Sequence, residues 1–235
     1  MPTPLDRFRS RRPSPSATRR RRLRPLPAAA ALVLAVLAAP PVEAACLRAV
    51  FFDIGNTLAE RREDGLFLVR AGARETIDQL RAAGVEIGVI TNVPAGWTRT
   101  DLEALLAEPE FLDQFDVLVM SSQAPARKPD PQIYLLAHGL LATPVPIGET
   151  AFVGETLAEI ADSENDPTSG ARAVGMVGIH LSDTPASPLA DHTIPTRGLT
   201  EIVTLRANLC GSVADGVEPG DNGRSKGGSL GHPGV

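Results

Sequence analysis

From residue 47 onward, short apolar runs alternate with stretches of helical period. Residues 48–52 form an apolar run that stops at Asp53 and read as a buried strand. Residues 73–83 place Ala73, Ile77 and Leu80 on one helical face, and Gly84 supplies a left-handed stop. Residues 85–90 predict a second strand that ends in Thr91-Asn92. Thr100 and Glu103 have capping-box spacing, which predicts a helix to about residue 107. Residues 115–120 read as a third strand, and Asp130-Pro131 as the N-cap and first position of a helix reaching about residue 141. A fourth strand at 151–153, a helix at 169–174 and a fifth strand at 177–180 follow. Repeated βα units with short apolar strands predict an α/β fold. It should be doubly wound and Rossmann-like, a three-layer sandwich around a parallel sheet of about five strands. No internal repeat interrupts this order.

The ends break the pattern and set the expected domains. Residues 1–46 form an Arg-rich leader, expected to be largely disordered, and residues 209–235 a Gly-rich disordered tail. Residues 47–208 remain as the folded core. Within the leader, residues 28–39 are 12 apolar residues, too few for a stable membrane span of about 20. The basic stretch before them and Val42-Glu43-Ala44 after them resemble a secretory signal. Against export, the first strand starts almost directly after that site. The expected location is therefore cytoplasmic, with export through the leader as the alternative.

Charge sharpens this division. The formal net charge of -5 conceals +7 in residues 1–46 and -12 in the remainder. An acidic body argues against nucleic acid as a partner, because phosphate contacts need cations. Aromatics at 4% argue against a base-stacking platform. Cys46 and Cys210 are too few for a disulfide framework or a cysteine-rich zinc site, and the four histidines lack metal-ligand spacing.

In open α/β sheets the site lies beyond the carboxyl ends of the strands. Asp53, Thr91-Asn92, Lys128 and Glu155 all follow strands there. A carboxylate, a hydroxyl, an amide, an ammonium and a second carboxylate suit phosphoryl transfer through an aspartyl intermediate. The motifs that carry them resemble the haloacid dehalogenase-like (HAD) hydrolase superfamily. Phe51-Phe52-Asp53-Ile54-Gly55-Asn56-Thr57-Leu58 is similar to its first motif, and Val89-Ile90-Thr91-Asn92 to its second. Lys128-Pro129-Asp130-Pro131-Gln132-Ile133-Tyr134 matches its third segment. Phe152-Val153-Gly154-Glu155, Asn165-Asp166 and 170–176 resemble its ending.

The resemblance implies a Mg²⁺-dependent phosphatase with Asp53 as nucleophile. Lys128 would balance charge, Thr91 would contact substrate, Asn92 would contact substrate or shape the loop, and the Asp53 carboxylate, the Gly55 carbonyl and an acid of the fourth motif would bind the metal. Glu155 ranks first for that acid, Asp166 second and Glu159 third, because 156–164 reads as an insertion. Asp130 is expected to be a helix cap, and Trp97 packing or a rim residue.

Gly55 departs from the family pattern. It stands where the phosphatases carry a second Asp, which protonates the leaving group and activates water, an effect of about 10²- to 10⁴-fold. A backbone carbonyl can still ligate metal at a glycine. The alternative reading is a non-catalytic module binding a phosphorylated ligand or protein. Dehalogenation is a third reading, which Gly55 does not favour. Spacing adds one more expectation. Only 37 residues separate Asp53 from Thr91, and 36 separate Thr91 from Lys128. That leaves room for a short flap at 58–70, with a hairpin around Asp64-Gly65, and for no cap domain. An open site suits a large phosphorylated substrate, or a homo-oligomer whose neighbouring subunit serves as the lid.

Overall fold

The structure is a computed structural model and describes residues 46–214. Its centre is a six-stranded parallel sheet built from β1 (Ala49–Phe52), β4 (Glu86–Thr91), β5 (Val117–Met120), β6 (Thr150–Gly154), β7 (Val177–Leu181) and β8 (His192–Ile194). The spatial order is β5-β4-β1-β6-β7-β8, so the winding reverses between β1 and β6. Phe51 pairs with Gly88 on one side and Phe152 on the other. A Cβ on Gly88 would lie 2.4 Å from the Phe51 ring, so glycine there makes room for that ring.

Both faces of the sheet are covered. Val50, Phe52, Ile87, Val89, Ala151 and Val153 pack in a core with Ile77 and Leu80 of α1 (Ala73–Ala82) and Ile202 of α5 (Glu201–Ala214). Phe51, Ile90, Val119 and Phe152 point the other way. They meet Ile133, Tyr134 and Ala137 of α3 (Pro131–Gly139) and Ile160 of α4 (Leu157–Ile160). The period-two alternation of each strand thus feeds two separate cores.

Several expected elements shift. The helix after β4 is α2 (Arg99–Glu103), capped two residues earlier than Thr100. The Asp101 carboxylate accepts from the Thr98 N–H at 2.8 Å and its hydroxyl at 2.7 Å. The expected helix at 169–174 is a single 3₁₀ turn at Ala171–Val174. The expected hairpin forms: β2 (Ala59–Arg61) pairs antiparallel with β3 (Phe67–Val69), and Gly65 takes φ 89°. A sixth strand, β8, joins the edge. It is three residues long, too short to show a pattern.

The carboxyl end of the core also moves. α5 continues past residue 208 to Ala214, and Cys210 on it forms a disulfide with Cys46 across 164 positions. Spacing could not pair the two. The Arg206 guanidinium donates to the carbonyls of Leu47 at 3.1 Å and Ala83 at 2.8 Å, fixing α5 beside the start of β1. The leader, with its signal-like run, lies outside the described residues, as does the tail beyond 214.

Candidate active site

Asp53 follows β1 at the reversal of strand order, where a parallel sheet opens a crevice. Its N–H donates to the Val153 carbonyl at 2.9 Å, so the residue after β1 is still held by the neighbouring strand β6. Lys128 arrives on the loop after β5. Its ammonium is buried and lies 2.6 Å from Asp53 Oδ1 and 2.7 Å from Glu159 Oε2. It also sits 5.2 Å above the centre of the Phe152 ring. A buried lysine needs such partners, because an unpaired ammonium there would be costly. Thr91 ends β4, buried, at the same edge. Burial raises the Glu159 carboxyl above its ordinary range, and the Lys128 ammonium opposes the shift.

A ring of supports holds these groups. Asn92 clasps Lys128 on both sides of its backbone. The side-chain amide donates to the Lys128 carbonyl, and its oxygen accepts from the Lys128 N–H, both at 3.0 Å. Asn92 thus shapes the lysine loop, and it also lines the cavity described below. The Tyr134 hydroxyl donates to the Glu159 carbonyl at 2.6 Å, and His180 Nε2 lies 3.0 Å from the Glu155 carbonyl. The Gly170 N–H donates to the Pro129 carbonyl at 2.7 Å, and a Cβ there would meet the Ile160 backbone at 2.5 Å. Only glycine lets the chain at 170 bond the lysine loop while lying this close to α4. Asp130 accepts from the Gln132 N–H at 2.9 Å, the helix cap expected of it.

One cavity of about 400 Å³ gathers most of the expected residues. Asp53, Gly55, Thr91, Asn92 and Glu155 all line it. Asp166 does not: it is exposed on the stretch after α4. Glu159, ranked third, is there instead. The reason is local. α4 begins directly after Glu155 and turns Glu159 back to the lysine. Asp162 then accepts from the N–H groups of Thr168 at 2.8 Å and Ser169 at 3.2 Å, so 163–167 bulge outward. Those bonds, led by the Thr168 hydroxyl, lower the Asp162 carboxyl to about 2.

Gly55 and Asn56 form the turn below the cavity. Asn56 takes φ 54°, and its carbonyl accepts from the Arg70 guanidinium at 2.9 Å. A Cβ on Gly55 would stand 3.8 Å from the Phe67 ring and 4.0 Å from Asp53 Oδ2, which is ordinary contact. No steric constraint therefore demands glycine at 55.

The cavity's remaining wall is apolar and went unforeseen in sequence. Phe67 comes from the hairpin, Leu102 from α2, Leu105 and Leu106 from the segment after it, and Val93, Pro94 and Trp97 from the loop after β4. Backbone bonds join these pieces. The Phe67 N–H donates to the Leu105 carbonyl at 2.8 Å, and the Ala107 N–H to the Phe67 carbonyl at 2.9 Å. Ser121 bonds both backbone groups of Val93, and the Ser122 hydroxyl donates to the Trp97 carbonyl at 2.6 Å. Sequence offered only the uniqueness of Trp97 as a hint of this wall.

The family model for haloacid dehalogenase-like hydrolases matches residues 50–161. Among curated proteins, the chain is 33% identical over 135 residues to a sesquiterpene phosphatase of Aspergillus oryzae, covering 57% of this chain and 62% of that one. It is 28% identical over 130 residues to a phosphoglycolate phosphatase of Pseudomonas fluorescens, covering 55% and 42%. The chain thus spans less than two thirds of the length of either relative. Among solved structures, a dehalogenase captured with an intermediate superposes with a TM-score of 0.54 at 16% identity, covering 68% of this chain and 97% of that one. An uncharacterized protein from Listeria monocytogenes serotype 4b gives 0.50 at 20% identity, covering 70% and 99%. These two likenesses concern the fold. The matched family model, the phosphatase relatives and the strand-end residues just described together support membership of the haloacid dehalogenase-like hydrolase superfamily.

Proposed function

We propose that the protein is a capless, Mg²⁺-dependent phosphatase that works through an aspartyl phosphate at Asp53. The observation that carries this reading is the buried Lys128 ammonium, held 2.6 Å from Asp53 Oδ1 at the switch point of a parallel sheet. It holds the Asp53 carboxylate in place, and it adds positive charge where a phosphate dianion must approach. The names of both curated relatives mark them as phosphatases and support the class of reaction.

The donor set suits Mg²⁺. Among the described residues no three His, Cys, Asp or Glu side chains converge into a cluster. Mg²⁺ does not need one, because it binds through one or two carboxylates and keeps several waters. Asp53, the Gly55 carbonyl and Glu155 offer oxygen only, on one cavity. No hydrogen bond or ion pair engages the Glu155 carboxylate among the described residues. The ion would neutralise charge on the phosphoryl group. Asp53 attacks phosphorus, the bond to the alcohol oxygen breaks, and that oxygen takes its proton from water, since Gly55 offers none. Water then hydrolyses the acyl phosphate and restores Asp53. Thr91, on the same cavity, would donate to the phosphoryl oxygens.

A generic aryl phosphate assay tests this reading. Turnover that requires Mg²⁺ and disappears in Asp53→Asn supports it, whereas full activity in that variant sinks the nucleophile. Gly55 favours one second reading, a module that binds phosphorylated ligands without turnover. Folded protein that turns over no phosphate ester would select it.

We also propose that the protein acts in an oxidising compartment. The support is the disulfide joining Cys46 to Cys210, since such bonds persist where thiols are not kept reduced. Of the two locations weighed from sequence, this favours export. Among the described residues no helix is long and apolar enough to cross a membrane.

A further inference from the structure

We infer that the substrate is the monophosphate of an apolar alcohol, with the hydrocarbon lying on the wall formed by Phe67, Val93, Trp97 and Leu105. This inference rests on the phosphatase reading and adds the chemistry of the leaving group.

The cavity has two unlike halves. Its polar half is the strand-end floor, where Asp53, Thr91, Asn92, Glu155 and Glu159 meet. Facing it, Phe67, Val93, Trp97 and Leu105 are each only partly buried, so they present apolar surface to the cavity. Ordinary folding would bury such side chains. Here their backbones are fixed so that they stay open: β3 is sewn to the segment after α2, and the Val93–Trp97 loop is pinned by Ser121 and Ser122. A wall held by paired backbone bonds is in place before substrate arrives, which reduces the entropy lost on binding.

The phosphate end is fixed by the floor, so the group beyond the ester oxygen must extend along the wall. A sugar or hydroxy-acid leaving group would bring hydroxyls or a carboxylate against Phe67, Val93, Trp97 and Leu105, whose side chains offer almost no hydrogen-bond partners, and would lose its hydration there. An alkyl, isoprenoid or aryl group loses nothing of the kind and removes apolar area from water. Arg61, exposed, also lines the cavity. A cavity of about 400 Å³ lies within the usual range for small-molecule sites.

The test is kcat/KM across methyl, butyl, hexyl and octyl phosphate, with glycerol 3-phosphate as the polar comparison. The expected result is a rise of about two- to fourfold per added methylene until the wall is filled. Trp97→Ala and Leu105→Ser, checked for folding by circular dichroism, should each lower the octyl-to-methyl ratio by about tenfold. A flat series, or a preference for glycerol 3-phosphate, overturns the inference and leaves the phosphatase reading intact.

Binding of methyl- and octylphosphonate, which cannot be hydrolysed, separates the two ideas. The fluorescence of Trp97, the only tryptophan, reports it. Tighter octylphosphonate binding without turnover of any ester would keep the wall and remove the catalysis. Equal binding of both phosphonates would remove the wall.

Discussion

The floor and the wall of the cavity are built by different rules. Floor residues stand at strand ends, so the register of the sheet places Asp53, Thr91 and Glu155 directly. Wall residues stand on a hairpin, a short helix and two loops, joined by backbone bonds between segments 38 residues apart, such as Phe67 to Leu105. The floor tolerates little change, because the buried Lys128 ammonium is held between Asp53 and Glu159. The wall can vary as long as its ties hold. On the proposed reading, chemistry is thus anchored on the sheet, and selection on the segments that join around it.

The sharpest way to break this division is at the floor. Asp53→Asn should reduce turnover by at least about a thousandfold in steady-state assays, since it removes the proposed nucleophile rather than a contact. Lys128→Met should cost about 3–5 kcal/mol of stability in urea unfolding, because Asp53 and Glu159 are left facing each other without a cation. An intact melting curve in that variant would show that the ion triad is less buried than its geometry implies.

Gly55→Asp probes the join between floor and wall. The Cβ has room beside Phe67 and Asp53, so the new carboxyl can serve as acid and base. The expected gain in kcat is about 10²-fold or more. No gain would mean that another group already supplies the proton. Asn92→Ala leaves Lys128 in place but unclasps it, and should lower kcat by about tenfold with little change in KM.

The smallest effect lies outside both regions, at Asp162. Its carboxyl is lowered from 3.8 to about 2, so the folded loop holds its proton less tightly than the unfolded chain. The contribution is present in full above pH 4 and fades as pH falls through 2. Amide exchange at Thr168 and Ser169 should therefore stay slow down to about pH 3 and quicken below it. Asp162→Asn should remove that pH dependence.

Much of the floor was legible in the sequence, because one strand, one turn and one polar residue are local information. Phe51-Phe52-Asp53 and Val89-Ile90-Thr91 show their ends directly. Overlapping signals caused the misplaced cap: Thr98/Asp101 and Thr100/Glu103 have the same spacing, and only the extended backbone of Thr98 (φ -105°, ψ 173°) decides between them. Asp166 outranked Glu159 because a motif comparison treats 156–164 as inserted, whereas one turn of α4 brings Glu159 back. β8 and the wall were invisible for a shared reason. Both depend on pairings between distant segments, β8 with β7 and Phe67 with Leu105, which leave no period in the chain.

The disulfide belongs with those distant pairings, and it has a mechanical meaning. Cys46 and Cys210 hold their Cα atoms 4.3 Å apart, so residues 46–210 form a closed covalent ring. Tension applied between those two positions passes through a single sulfur–sulfur bond and leaves the six strands slack. The domain can be tugged by its ends without stretching the sheet that aligns Asp53 with Lys128, until a reductant opens the ring.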